Sequence, residues 1–98
     1  MGPVKSALEG AVKYLAVEMG KSHIRVNALS PGPILTRAAG GLAEFDVLLR
    51  EAQRKSPLHE TPLIVDDIGA AAAFLVSDGA RYITGNITFV DCGTHVMG

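Results

Sequence analysis

The order in which apolar patterns change along this chain restricts its fold more than any other feature. Residues 24–30 and 83–91 are short apolar runs with the length and composition of strands. Two helical stretches lie between them, and a third precedes them. The order is helix, strand, helix, helix, strand. A strand, a helical crossover and a second strand imply a parallel, right-handed pair. Strands this apolar suit a sheet with helices on both faces. The expected class is therefore α/β with a parallel sheet. Two strands cannot close such a sheet, and a two-stranded piece is marginal in water without further pairing or packing. The chain is thus expected to be incomplete or to need a partner, with a thin core of its own.

Local signals place the elements. Pro3 suits the first turn of a helix, where a missing N–H is harmless. Val4, Leu8, Val12, Leu15 and Met19 then recur at helical spacing, with Ala7 and Ala11 beside them, and mark one buried stripe. Gly10, in mid-helix, reflects either a close approach of a neighbour or simple tolerance. Gly20 is the expected residue just past the helix end. Pro31, Gly32 and Pro33 must stop the first strand. Gly40 and Gly41 form a flexible point. Phe45, Leu48, Leu49 and Ala52 fit one face of a short helix that Ser56 and Pro57 end, and 57–62 reads as loop. Asp66 and Asp67 place negative charge in the first turn of the next helix, where its dipole favours it. Residues 68–76 are almost all apolar, so that helix is expected to be largely buried, and Ser77, Asp78 and Gly79 stop it. Ile87, Phe89 and Val90 are core candidates of the last strand, and Gly85 before them marks a bend or a close backbone approach.

Composition excludes several classes. The 98 residues are 48% hydrophobic, too apolar for a disordered tail. No run approaches the roughly 18 apolar residues of a membrane span. A formal net charge of −1 provides no electrostatic case for nucleic acid or anionic membrane. No secretory signal pattern is visible. The single cysteine, Cys92, cannot form an internal disulfide and fits a reducing, cytoplasmic compartment; it reads as a small buried hydrophobe. His23, His59 and His95 lack metal-ligand spacing and read as surface or loop residues, so no metal is expected. Asp46 and Asp91 have no evident partner.

Two segments carry chemistry. Lys5 stands on the opening turn of the first helix, within Met1-Gly2-Pro3-Val4-Lys5-Ser6-Ala7-Leu8-Glu9. Most lysines in such a place are simply solvated. Pro31-Gly32-Pro33-Ile34-Leu35-Thr36-Arg37-Ala38 follows the first strand. In open α/β sheets ligands sit beyond the carboxyl ends of strands, so a rigid turn here is well placed, although Pro-Gly turns are common in their own right. Together these segments resemble the back half of a short-chain dehydrogenase/reductase, and in particular the enoyl-acyl-carrier-protein reductase branch. Other members of the superfamily carry a tyrosine four residues before the lysine, which here is Met1. The enoyl reductases carry it seven before and commonly have Met-Gly between, as at Met1-Gly2. The resemblance runs from Met1 to about His95.

The resemblance implies that residues 1–98 form the C-terminal part of a Rossmann-like, doubly wound domain. It implies reduction of the 2,3 double bond of an enoyl-acyl-carrier-protein thioester, with NADH or NADPH giving hydride to the β-carbon. Lys5 would be the catalytic lysine, bonding the nicotinamide ribose and lowering the pKa of the tyrosine hydroxyl. Ile34 would hold the nicotinamide carboxamide through its backbone. Thr36 would bond the pyrophosphate, and Leu35, Arg37 and Ala38 would complete the cofactor segment. Ala39, Gly40, Leu42 and Phe45 would line the acyl pocket in a segment, 39–56, that either covers substrate or is a surface helix. The catalytic tyrosine and the first nucleotide-binding turn fall outside these 98 residues, so the chain alone is expected to be inactive. The resemblance further implies a homo-oligomer in the full-length enzyme. Two alternatives stay open: an association module that pairs with intact reductase subunits, and part of another short-chain dehydrogenase/reductase.

Overall fold

The computed structural model describes residues 2–34, 43–58 and 62–97. Its elements are helix α1 (Gly2–Gly20), strand β1 (Ala28–Pro31), helix α2 (Ala43–Lys55), helix α3 (Val65–Leu75) and strand β2 (Ile87–Val90). Short 3₁₀ turns at Asp78–Ala80 and Thr94–Met97 precede and follow β2. The order is the expected one, and β1 pairs with β2 in a two-stranded sheet. The pairing is parallel: Ala28 donates to the carbonyl of Asn86 and Gly32 to that of Val90, at 2.9 and 3.0 Å, so both residue numbers rise together.

Two compact units make up the chain. The first comprises Met1–Leu29 and Ala72–Thr88. Its core is small: Val12, Ala16, Leu75 and Ala80 are buried, and no large side chain among the described residues is fully enclosed. The stripe expected on α1 is thus only partly realised. Val12 is buried and Met19 half-buried, but Ala16 takes a buried place, while Val4, Leu8 and Leu15 are exposed. The end of α1 also differs from expectation. The N–H of Ile24 reaches the carbonyl of Met19 and that of His23 reaches Gly20, both at 3.0 Å. His23, not Gly20, is the left-handed residue, with φ of 61°. This pair of bonds is the glycine-type helix stop, completed here by a histidine.

The first strand was expected from residue 24, but the ladder begins at Ala28 because Arg25 and Asn27 spend their side chains on the facing segment. The Arg25 guanidinium donates to the carbonyls of Leu75, at 2.7 Å, and Ile83, at 3.1 Å. The Asn27 amide donates to the Ile83 carbonyl and its oxygen accepts from the Asn86 N–H. Val26 donates to the Thr84 hydroxyl and accepts from Gly85. Leu75 is the last residue of α3, so Arg25 satisfies an orphan carbonyl at the negative end of a helix. Gly85 meets both expectations made of it: its φ is 70°, and an added Cβ would lie 3.3 Å from the Cβ of Ala16.

The second unit comprises Ser30–Ala71 and Phe89–Gly98. It holds α2 and the start of α3, where Asp67 accepts from the Ile64 N–H and donates its own N–H back to the Ile64 carbonyl, both at 3.0 Å. This reciprocal cap explains why acidic residues open the helix. The helix is not largely buried, as its composition led one to expect. Leu75 alone is buried, Ile68, Ala71 and Ala72 are half-buried, and Val76 just beyond it is 81% exposed. The apolar face is one stripe wide, and the other described residues of the helix are exposed. The expected core residues of β2 are likewise incomplete: Ile87 and Val90 are half-buried and Phe89 is 38% exposed.

The Arg25 bonds and the emptiness around Gly10 generate opposed expectations for stability. Arg25→Met keeps much of the apolar stem but removes two charge-assisted bonds, each typically worth about 1.5–3 kcal/mol. Loss on the order of 2–4 kcal/mol is expected in urea denaturation of the 98-residue chain. A Cβ on Gly10 would meet nothing within 4 Å, so Gly10→Ala should gain about 1 kcal/mol from helix propensity alone. An Arg25→Met chain as stable as the parent, or a Gly10→Ala chain less stable than it, would refute this account of the first unit.

Candidate functional site

Lys5 lies on the first turn of α1, exposed, in the first unit. Pro3 lies in the first turn, and the 19 residues Gly2–Gly20 form one continuous helix, so the lysine is presented from a rigid base. The candidate cofactor turn lies in the second unit. There β1 ends at Pro31, and Gly32, Pro33 and half-buried Ile34 lead away from it. Leu35, Thr36, Arg37, Ala38, Ala39, Gly40 and Leu42 lie outside the described residues. Phe45 falls within α2, a helix as expected there.

The reason for glycine in the Pro31–Pro33 turn is visible. A Cβ at Gly32 would lie 2.9 Å from the Cβ of Asp91 and 3.0 Å from its Cα. No ordinary side chain fits there. The carboxyl end of β2 therefore backs directly onto the turn at the carboxyl end of β1, the end at which parallel sheets bind ligands. Two prolines restrict φ on either side of this contact.

Asp91 is the nearly buried carboxylate whose partners the pattern of the chain did not reveal, and His95 is one of them. The Asp91 side chain is only 9% exposed. Its carboxylate accepts from the Gly93 N–H, the His95 N–H and the His95 ring Nδ1, all within about 3.1 Å. Burial pushes this carboxyl up, but the bonds from the His95 ring and from the Gly93 and His95 N–H groups, with the His95 charge, outweigh it and hold it below its ordinary value. The ring of His95 stacks on Phe89, with centroids 3.9 Å apart and planes 9° from parallel. His95 is thus exposed on one side yet held on two others, rather than a free loop residue. Asp and His four apart are a readable signal only once a turn is known to bring them together.

Cys92, read from sequence as a buried hydrophobe, is half-buried in this turn with φ of 58°. Gly93 follows with φ of 87°, its Cα so close to Pro57 that a Cβ would lie 2.9 Å from the Pro57 ring. Consecutive left-handed residues are costly for cysteine, and the Asp91 carboxylate supplies the bonds that keep them so. A space of about 420 Å³ adjoins the turn, walled by Leu58, Leu63, Phe89, Asp91 and His95 among others. Among the described residues no three His, Cys, Asp or Glu side chains converge as a metal set would, and no helix is long and apolar enough to cross a membrane.

With this geometry in view, the kinship of the chain is clear. The family model described as Enoyl-(Acyl carrier protein) reductase matches residues 1–95. The chain belongs to this family. It is 46% identical over 98 residues to the enoyl-[acyl-carrier-protein] reductase [NADH] FabI of Bacillus cereus, and 43% identical to that of Rickettsia prowazekii. It spans all of its own length but only 38% and 37% of those relatives. The crystal structure of the Bacillus cereus reductase, with NADP+ and an indole naphthyridinone, superposes with a TM-score of 0.85 over the whole chain and 38% of that protein. The reductase of Anaplasma phagocytophilum, solved with NAD, matches with 49% identity and a TM-score of 0.83 over the whole chain and 37% of that protein. The helix, strand, helix, helix, strand order of this family member is thus part of a Rossmann-like α/β fold.

Two expectations follow from the turn at Gly32. Gly32→Ala should destabilise the chain by about 1–3 kcal/mol, the usual range for forcing a side chain into packed backbone; a urea midpoint unchanged from the parent would show that the turn has room to spare. Asp91, with its folded pKa depressed, contributes stability above its unfolded pKa that is lost as pH falls through the folded value. Stability measured from pH 7 downward should therefore fall below about pH 4, and should fall less in Asp91→Asn.

Proposed function

We propose that this sequence serves as the cofactor-gripping part of an NADH-dependent enoyl-[acyl-carrier-protein] reductase of fatty acid biosynthesis. The single observation that carries the reading is the match over residues 1–95 to that reductase family, with Lys5 exposed on a helical first turn and a rigid turn at the carboxyl end of β1. The nicotinamide cofactor, NADH or less readily NADPH, supplies hydride when bound. Lys5 would donate to the ribose hydroxyls and place positive charge beside the proton-donating tyrosine, favouring its ionised form. The exposed, flexible ammonium on a fixed helix suits that task, since it can turn three donors toward a diol.

Ile34 would hold the carboxamide through its backbone, Thr36 would bond the pyrophosphate, and Leu35, Arg37 and Ala38 would complete the contact. Ala39, Gly40, Leu42 and Phe45 would wall the acyl chain, with α2 as the helical part of the substrate-covering segment, 39–56. The substrate is an enoyl thioester on acyl carrier protein, the setting cytoplasmic, and the assembled enzyme a homo-oligomer.

A second reading has a specific observation behind it. A 4-hydroxyisoleucine dehydrogenase complexed with NADH and succinate matches 94% of the chain with 37% identity and a TM-score of 0.76. That likeness supports a dehydrogenase acting on another substrate as the alternative reading.

The test is a chimera in which these 98 residues replace the matching 38% of the Bacillus cereus reductase. It should reduce an enoyl thioester with NADH and leave 4-hydroxyisoleucine untouched. Lys5→Ala in the chimera should weaken NADH binding and slow turnover. Thr36→Val removes one bond to a charged group, about 1.5–3 kcal/mol, and should weaken NADH binding by roughly tenfold to a hundredfold with little change in the melting point without cofactor. If both variants leave NADH affinity unchanged and only lower stability, the site assignment is wrong.

A further inference from the structure

The turn after β2 does more than back Gly32. It also meets the carboxyl end of α2, the helix that ends at Lys55. Ser56, the residue immediately after that helix, is 5% exposed, the only buried polar side chain among the described residues. Its hydroxyl lies 2.7 Å from the hydroxyl of Thr94. The Thr94 hydroxyl in turn donates to the Asp91 carbonyl at 2.8 Å, so Thr94 accepts from Ser56. Two residues further along, the Leu58 N–H donates to the Cys92 carbonyl at 3.0 Å. Pro57, between them, packs on Gly93. The left-handed pair Cys92 and Gly93 shapes the turn that presents the Cys92 carbonyl to Leu58 and the Thr94 hydroxyl to Ser56, and the Asp91 carboxylate bonds the N–H groups of that turn.

We propose that Asp91, Thr94 and Ser56 form a clasp that fixes the carboxyl end of α2 to the end of β2, making Thr94 a positioning residue for the substrate-covering helix. The function given to the clasp rests on the reading of α2 in the proposed reductase; the clasp itself does not. Two hydroxyls in series, one buried and one half-buried, ending on the Asp91 carbonyl, are an expensive way to join two loops if nothing depends on their spacing. An apolar contact would hold them together but would not fix the register. The hydroxyl chain does, because it has one donor direction and one length. Asp91 serves both neighbours: its backbone packs against Gly32 of the cofactor turn, and its carbonyl anchors Thr94. The same residue would thus set the cofactor turn and the acyl-side helix relative to a common strand end.

Amide hydrogen exchange on the 98-residue chain tests the clasp without any turnover. The reporter is Leu58, and the control is Gly85, whose N–H bonds Val26 in the first unit at 2.8 Å. Leu58 should be protected in the parent chain. Thr94→Val should speed its exchange by about threefold to tenfold, the weight of one ordinary hydrogen bond, while Gly85 is unchanged, and Thr94→Ser should restore protection. Asp91→Ala should act more strongly, at Gly93 and His95 as well as Leu58. An unprotected Leu58 in the parent, equal acceleration at Leu58 and Gly85, or no effect of Thr94→Val each overturns the proposal. In the chimera, Thr94→Val should raise KM for the enoyl thioester with KM for NADH unchanged, and Thr94→Ser should reverse it. An intact clasp by exchange with no KM effect would reject the role of α2 while leaving the clasp standing; a failed clasp would leave the Lys5 and Thr36 assignments standing.

Discussion

The guanidinium of Arg25 ties the approach to β1 to the segment ahead of β2 and to the end of α3. That group spans two carbonyls from different parts of the chain, Leu75 at the end of α3 and Ile83 ahead of β2. The Leu75 carbonyl would otherwise lack a helical donor, because helices leave their last carbonyls unpaired. Asn27 then takes the same Ile83 carbonyl and the Asn86 N–H. Four atoms of side chain thereby bridge the two segments just ahead of the first ladder bond, in the register that the ladder keeps. A parallel ladder has evenly spaced bonds and no hairpin to set its register, so polar side chains at its mouth take over that task.

Small residues and acute turns carry the other end of the ladder. Gly32 allows the backbone after β1 to touch the backbone of Asp91. Asp91 then closes a turn with two left-handed residues. The geometry is strained, and it is held by a nearly buried carboxylate with three donors around it. Concentrated strain at a strand's carboxyl end is a common mark of a working site. Here it lies at the carboxyl end of the sheet, the end at which open α/β sheets bind ligands.

The surfaces of the helices tell a complementary story. Val4, Leu8, Phe74 and Val76 are exposed although their spacing and chemistry are those of core residues. A two-stranded sheet has too little area to cover three helices. The matched part is only 38% of the Bacillus cereus relative, so in such a protein there is ample chain for these faces to pack against.

How much was legible follows from range. The element order, the parallel pairing, the acidic cap on α3 and the reason for Gly85 were all readable, because each rests on local propensity or on a spacing of a few residues. The family was readable because Lys5 and Pro31 to Ala38 are contiguous motifs. The burial of α3 and of Ile87, Phe89 and Val90 was overestimated, because hydropathy measures what a residue would bury and not whether a neighbour exists to bury it. The helix stop at His23 was misplaced onto Gly20, since φ above zero is glycine's habit but not its monopoly. Arg25, Asn27, Asp91 and the Ser56–Thr94 bond could not be read at all. Their partners lie 38 to 59 residues away, apart from Asp91 and His95, which only the left-handed turn between them brings together. The chain's own order of residues determined which helices and strands could exist and which chemistry they resemble. Tertiary structure alone decided which polar side chains meet, because a hydrogen bond needs an angle and a distance that sequence separation does not specify.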